Sequence, residues 1–342
     1  MGVSRFLDPT MRWYSMPSVT LVSGRSYSAE LGQSLLDAAE GAGLALPHSC
    51  RSGRCSKCKC KVIGSSTALK EETGLTDVEK LEGWVLACVR SVSGDVKVEI
   101  EDLTDLCLPA ARLIPAKIDD LQLMSDNVMR IRLRLPPSAG FDFVAGQYID
   151  ITGPRGIRRS YSLARISDNS ALEIHIRRVV GGAMSKYIFD AAKANDLIRV
   201  HGPKGTFTLR NSPETDVVFL ATGTGIAPVK AMLEGLAAQP QSLRPRSVSI
   251  YWGGRLQEDL YWDPREVYQD LHYVPTLSRT GKDWDGARGY VQDAFLASCK
   301  DLTSVQVYAC GSQDMINSAS GAIKNAGLLS SEFFADAFIA SN

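Results

Sequence analysis

The chain has 342 residues, 44% of them apolar, and its 38 basic residues balance 38 acidic ones to a formal net charge of zero. That length and apolar share suit two or three globular domains and exclude a disordered or fibrous chain. Balanced charge provides no overall field for nucleic acid, so no nucleic-acid partner is expected and any charged docking surface must be local.

The opening stretch, MGVSRFLDPTMRWYSMPSV, lacks the apolar core of a signal peptide, and Phe6 stands where myristoylation needs Ser or Thr; it reads as a loose tail. Nothing approaches a run of about 18 apolar residues, so no membrane span is expected and a cytoplasmic protein is the default. Eight cysteines are too sparse for a disulfide scaffold, and disulfides are rare in that compartment.

Residues 18–105 read as a small α+β unit: short strands VTLVS and SYSAEL, a helix in SLLDAAEGA, then strands KCKVI, WVLAC and VKVEI. Between helix and third strand lies CRSGRCSKCKC, for which a disulfide framework, a zinc site and an iron-sulfur cluster compete. Cys50, Cys55 and Cys58 stand as C-x4-C-x2-C, and Cys88 follows after 29 residues. This is the spacing of plant-type 2Fe-2S ligation. Structural zinc usually takes two pairs of close ligands, and Cys88 has no cysteine beside it. Gly53 lets the loop turn inward, and Cys60 is a spare. Arg51, Arg54, Lys57, Lys59 and Lys61 surround the loop with no acidic residue between Cys50 and Lys61, which suggests electron exit toward an acidic partner surface. Residues 103–116, with Pro109 and Pro115 and no periodicity, read as a linker.

Residues 112–210 carry strand alternation: Ile131, Leu133 and Leu135 against arginines in VMRIRLRL, and Leu172, Ile174 and Ile176 in LEIHIRRV. With Gly/Pro turns between them, these predict an antiparallel barrel. In RRSYSLA, alternation lets Arg159 and Tyr161 face one ligand with Ser162 at its edge; a cation, a flat ring and a hydroxyl suit a flavin. In GGAMSKYIFD, Gly182 and Ser185 open a helix whose amides could meet a pyrophosphate.

Residues 211–342 change to strand, glycine turn, helix, strand (VVFLA, GTG, PVKAMLEGLAA, VSIYW), the pattern of a doubly wound parallel sheet. Gly223, Thr224 and Gly225 form the turn and Pro228 falls at the helix start. Cys310 and Gly311, in VYACGSQDMI, close a further strand at the edge where such sheets bind ligands.

Residues 18–105 resemble a plant-type 2Fe-2S ferredoxin domain of the β-grasp fold. R-x-Y-S, G-x-x-S, GTGIAP and CG, in that order, are similar to the ferredoxin-NADP reductase superfamily. The resemblance implies that Cys50 and Cys55 hold one iron, and Cys58 and Cys88 the other. It further implies that Arg159, Tyr161, Ser162, His175 and Arg177 bind FAD, with Gly182 and Ser185 at its pyrophosphate. Gly223, Thr224, Gly225, Pro228 and Gly311 would take the nicotinamide dinucleotide, Phe338 would join the cofactor site, and Ser162 and Cys310 would be catalytic.

Implied, then, is an enzyme that passes electrons from NADH through FAD to a 2Fe-2S cluster and on to a protein. LPPSAGFDFVAGQYIDI, RRSYSLA, VYACGSQDMI and FFADAFIASN resemble most the CDP-6-deoxy-3,4-glucoseen reductases, which serve a dehydratase in 3,6-dideoxysugar synthesis. Reductases of aromatic-ring dioxygenases or monooxygenases are the alternative; many carry Glu where Asp336 stands. An iron-sulfur sensor or docking module is disfavoured because the flavin and nicotinamide motifs are intact. NADH is expected over NADPH: Ser278 and Arg279 in LSRTGKDW resemble a 2'-phosphate pair, but Glu258 and Asp259 offset Arg255 nearby.

Overall fold

The computed structural model describes residues 16–166, 171–281 and 283–338. The expected N-terminal tail and the last four residues lie outside the described set. Two compact units emerge: residues up to Pro47 with Arg51–Asp105 form the first, and His48–Cys50 with the chain from Leu106 onward form the second.

In the first unit, β1 (Ser18–Leu21), β2 (Ser26–Ser28), α1 (Leu35–Gly41), β3 (Lys59–Ile63), β4 (Ser66–Ala68), α2 (Asp77–Leu81), β5 (Trp84–Leu86), β6 (Arg90–Val92) and β7 (Val96–Glu99) follow one another. The main sheet has the order β2-β1-β7-β3-β5, with β1 and β7 parallel; β4 and β6 form a separate pair. Helix α1 starts where Ser34 accepts the Asp37 amide, satisfying one of the unpaired first-turn donors. Its Leu35, Leu36, Ala38 and Ala39 are buried against Val19, Leu21, Leu86 and Val98. Helix α2 has a Thr76/Glu79 capping box and no buried residue, so its ends rather than its packing define it.

The second unit begins with β8 (Arg112–Ser125), β9 (Val128–Arg134), β10 (Tyr148–Thr152), β11 (Arg158–Ser162), β12 (Ala171–Arg177), α3 (Ala183–Asp190) and β13 (Leu197–Lys204). These six strands make one antiparallel sheet, β11-β10-β13-β8-β9-β12. An isolated bridge joins Leu163, just past β11, to Ile174 of β12. The expected linker is shorter than predicted, because residues 112–116 already belong to β8 and pair with β13. Ile114, Ala116 and Ile118 alternate into the core, a period that the window 103–116 truncated. Pro115 is tolerated because β8 pairs with β9 only from Lys117 onward, so this stretch has a single paired edge.

A third sheet follows: β14 (Asp216–Thr222), α4 (Ile226–Ala238), β15 (Ser247–Gly254), β16 (His272–Leu277), β17 (Ala287–Arg288), α5 (Val291–Ser298), β18 (Val305–Ser312), α6 (Gln313–Asn325) and β19 (Phe333–Phe338). All its pairings are parallel, in the order β17-β16-β15-β14-β18-β19. Val217, Phe219 and Ala221 pack on Val229, Met232, Leu233 and Leu236 of α4. On the opposite face Val218 and Leu220 pack with Phe295 of α5 and Ile316, Ala319 and Ile323 of α6. Helices therefore cover both faces, which is why β14 reads as an unbroken apolar run. Strand order reverses between β14 and β18, so their carboxyl ends flank the crevice where such sheets bind ligands. No helix among the described residues is long and apolar enough to cross a membrane.

Candidate functional site

The cysteine loop is built around Gly53. At φ +77° it is left-handed, and a Cβ there would lie 2.8 Å from the Glu71 carbonyl oxygen, so only glycine fits without a shift. Its own carbonyl accepts the Gly74 amide at 2.8 Å, fastening the loop to the following segment. Cys88 sits in the 3-10 turn Ala87–Val89 directly after β5, and the Ala87 amide donates to the Cys58 carbonyl at 3.0 Å. The Cys58 and Cys88 thiols share a hydrogen bond, which together with burial pushes the Cys58 thiol up. Metal binding to such a pair displaces its protons. Cys50 and Cys55 are half-buried, Cys58 and Cys88 buried, and all four are free of disulfides. Among the described residues no three His, Cys, Asp or Glu converge as a single ion would require; a 2Fe-2S cluster instead spreads four thiolates over two irons. The donor set fits that group.

Arg51 and Lys59, of the basic residues expected at the rim, are neutralised from elsewhere in the fold. Arg51 bonds Glu40 at 2.8 Å and also Asp37, both on α1, and Lys59 bonds Glu79 on α2 at 2.6 Å. Lys59 and Lys61 both lie over the Trp84 ring, at 4.8 and 4.9 Å from its centroid. The local run of positive residues thus overstates the charge of this rim, because its carboxylates arrive through tertiary contact.

On β11, Arg159 and Tyr161 are half-buried and share one side of the strand. Their neighbours Arg158 and Ser160 turn to Asp150, which also receives Lys204 at 2.7 Å. That leaves the Arg159 and Tyr161 side for a ligand. Gly182 is the N-cap of α3 with no side-chain cap, so the first-turn amides of this eight-residue helix stay open to an anion. Ser185 is inside the helix rather than its cap: its buried hydroxyl bonds the Val179 and Gly182 carbonyls at 3.0 Å each, shaping the turn that presents those amides. His175 differs from the expectation of a cofactor contact. Its Nδ1 meets the Tyr261 hydroxyl at 3.0 Å and its Nε2 the Glu173 carboxylate at 3.3 Å, so both ring nitrogens are taken by protein groups. Arg177, on the same side of β12, is exposed, and its Nη1 lies 3.6 Å from where a Cβ on Gly223 would stand.

The Gly223–Gly225 turn joins β14 to α4. Gly223 is left-handed at φ +53°, while a Cβ on Gly225 would fall 2.2 Å from the Cys310 carbonyl oxygen. Thr224 and Pro228 are buried; Pro228, in the first turn of α4, loses no helix hydrogen bond by lacking an amide proton. A Cβ on Gly311 would fall 2.1 Å from Thr222 Oγ1 and 3.2 Å from its carbonyl oxygen, so only a bare backbone lets the two strand ends close up at the switch point, a cradle that suits a dinucleotide. Cys310 is fully buried, and burial first, then the charge of Asp336, pushes its thiol well up; it stays protonated. Asp336 stands opposite Cys310 in the β18/β19 register, and Ser162 Oγ lies 3.5 Å from its Oδ2. The two expected catalytic residues are thus linked through Asp336, which the sequence singled out only as a departure from oxygenase reductases. Phe338 ends β19, 36% exposed, opposite Ser312.

Comparison with known proteins matches three family models along the chain: a 2Fe-2S iron-sulfur cluster binding domain over residues 20–93, an oxidoreductase FAD-binding domain over 115–209 and an oxidoreductase NAD-binding domain over 219–321. The chain is 36% identical to the CDP-6-deoxy-L-threo-D-glycero-4-hexulose-3-dehydrase reductase of Yersinia pestis, across 93% of this chain and 97% of that one. It belongs to the iron-sulfur flavoprotein reductases of the ferredoxin-NADP reductase superfamily. The reductase component of a naphthalene 1,2-dioxygenase system from Pseudomonas putida is 30% identical over 90% of this chain and 94% of its own. Among solved structures, the Amycolatopsis cytochrome P450 reductase GcoB superposes with a TM-score of 0.75 at 28% identity, covering 95% of this chain and 100% of that one. The protein is therefore an oxidoreductase with sites for FAD, a nicotinamide dinucleotide and a 2Fe-2S cluster.

This reductase also holds its cysteine turn with a residue that spacing alone does not reveal. Glu72 is buried; its Oε1 accepts the Leu86 amide at 2.7 Å and Arg90 Nε at 3.3 Å, and its second oxygen bonds the same guanidinium. One carboxylate thus clamps both flanks of the Ala87–Val89 turn. Removing one partner of a buried pair strands the other's charge, so Glu72→Ala is expected to cost the first unit about 3–5 kcal/mol. Thermal unfolding, followed together with visible absorbance, should show the cluster signal lost at a lower temperature than in wild type; unchanged melting would exclude the clamp.

Proposed function

We propose that this reductase takes hydride from NADH and delivers single electrons to the 3-dehydratase acting on a CDP-6-deoxy-4-hexulose, in 3,6-dideoxysugar synthesis. The end-to-end match to the Yersinia pestis dehydrase reductase, at higher identity than the naphthalene dioxygenase component, carries this reading. FAD, when bound, supplies the conversion of a two-electron hydride into the single electrons that a 2Fe-2S cluster accepts.

The chain's own residues divide the work. Arg159 supplies a fixed cation, Tyr161 a ring face, and the open amides of α3 a seat for pyrophosphate. The glycine turn 223–225 admits the dinucleotide backbone to the end of β14. Ser162 stands at the reacting edge with Asp336 behind its hydroxyl, and protonated Cys310 closes the site from β18. Cys50, Cys55, Cys58 and Cys88 would hold the cluster, the first two on one iron and the last two on the other. The domain limits that accompany this reading are 18–105, of β-grasp type, 112–210, an antiparallel β-barrel that the isolated Leu163–Ile174 bridge supports, and 211–342.

Preference for NADH rests on the end of β15. Asp259 Oδ2 accepts the Arg255 and Leu256 amides at 2.8 and 3.1 Å, which fixes a carboxylate beside the strand end. Against it stand Arg255 and Arg279, joined backbone to backbone at 3.0 Å. The deciding assay supplies purified reductase with either nucleotide and either a dehydratase or a dioxygenase component. Turnover with the dehydratase at a higher kcat/KM for NADH is expected. Coupling to the dioxygenase alone would replace the partner, and better use of NADPH would show that Arg279 outweighs Asp259.

A further inference from the structure

Behind the Gly223 turn a line of packed side chains, buried at Trp252 and His175 and half-buried at Tyr261, runs from the dinucleotide sheet to strand β12. Trp252, fully buried on β15, donates its indole N–H to the Gly223 carbonyl at 3.0 Å. Its ring meets Tyr261 edge to face, with centroids 5.2 Å apart. Tyr261 in turn packs edge to face on His175 at 5.5 Å and bonds its Nδ1. Burial first pushes the His175 imidazole down, with Glu173 only partly offsetting it, and burial holds Tyr261 protonated. The ring is therefore neutral: Nε2–H donates to Glu173, and Nδ1 accepts from the Tyr261 hydroxyl. Glu173 is anchored by Lys230 at 3.1 Å, and Lys230 by Glu234 at 2.6 Å and the Ala164 carbonyl at 3.1 Å. Lys230 and Glu234 belong to α4, the helix that the glycine turn opens.

Two residues beyond His175 on the same side of β12 is Arg177, whose guanidinium lies over Gly223. The line thus begins and ends at one glycine, reached from behind through Trp252 and from in front through β12. We propose that His175 and Tyr261 are positioning residues: their hydrogen bond sets the separation between the flavin-side strand and the nicotinamide turn, and so the efficiency of hydride transfer, with neither residue touching a cofactor. The inference rests on the assignment of the Gly223 turn and Arg177 to the two cofactors. A one-atom change at Tyr261 should be felt at the turn, because its two neighbours in the line, Trp252 and His175, are buried and each makes a directional hydrogen bond.

The test uses the full-length protein and the variants Tyr261→Phe, His175→Asn and His175→Leu. Tyr261→Phe keeps the ring packing but loses the hydroxyl. Flavin reduction at saturating NADH, followed by stopped flow, should fall about five- to tenfold, the scale of one lost hydrogen bond. FAD affinity of the apoprotein and KM for NADH should stay at wild-type values. His175→Asn retains an acceptor near the Nδ1 position and should recover part of the rate that His175→Leu loses. In the FAD-free protein, hydrogen exchange should rise in Tyr261→Phe for peptides spanning both 222–226 and 171–177, while peptides of the first unit stay unchanged. Unaltered exchange and unaltered hydride transfer would overturn the proposal, as would loss of FAD affinity in Tyr261→Phe, which would make the pair a cofactor contact. Failure of NADH to bleach the wild-type flavin would instead end the parent assignment.

Discussion

Cys58→Ser or Cys88→Ser is expected to eliminate reduction of one-electron acceptors such as cytochrome c, while NADH still bleaches the flavin at close to the wild-type rate. The thiolate is the ligand that iron-sulfur chemistry requires, and a serine hydroxyl is a harder, less acidic donor. The two positions are also mechanically joined, through the Ala87 amide on the Cys58 carbonyl, so loss at either should bleach the cluster absorbance as a whole. Damage should stop at the first unit, whose core of Val19, Leu35, Leu86 and Val98 is its own. Cys60→Ser provides the control. Its side chain is fully buried on β3 opposite Val85, and burial pushes its thiol up to about 12, the condition of an inert packing residue rather than a ligand. Cytochrome c reduction and flavin bleaching, measured on the same preparations, separate the outcomes; a Cys88→Ser protein that could no longer oxidise NADH would refute the division of labour.

Legibility in the sequence followed the range of the interaction that fixes each feature. Strand β12 and helix α4 could be read because period and glycine placement are local, and the cysteine spacing because one loop wraps one cluster. The resemblance alone makes His175 a cofactor residue. The partners that occupy its ring come from Tyr261, 86 positions away, and no local signal announces them. Arg51 and Lys59 looked like free positive charge for the same reason: Asp37, Glu40 and Glu79 reach them only after folding. Glu72 is one acidic residue among several in KEETGLTDVEK, and only its burial beneath the Cys88 turn distinguishes it. The start of β8 was lost to a different cause, since two prolines masked an alternation that Ile114, Ala116 and Ile118 carry through.

Gly225→Ala should disable hydride transfer while leaving the cluster domain intact. The added carbon would stand 2.2 Å from the Cys310 carbonyl oxygen and 2.7 Å from its carbonyl carbon, and backbone in the middle of a parallel pair cannot swing aside as a side chain can. Either the turn lifts off β18 or β18 moves with Cys310 and Gly311 on it; both displace the nicotinamide site relative to Ser162. A displacement near 1 Å costs about 10²-fold in a reaction that depends on aligned partners, so flavin reduction by NADH should fall by that order. Cluster absorbance and its reduction by dithionite should persist, because the first unit is untouched. Gly321→Ala, on the exposed face of helix α6 with nothing within 4 Å of the new carbon, should leave the rate alone and add about 0.5–1 kcal/mol of stability through helix propensity. Stopped-flow reduction of the two variants side by side makes the comparison. Equal rates would mean that the Gly225 contact with Cys310 does not hold the site in register, and the assignment of this turn to the dinucleotide would fall with it.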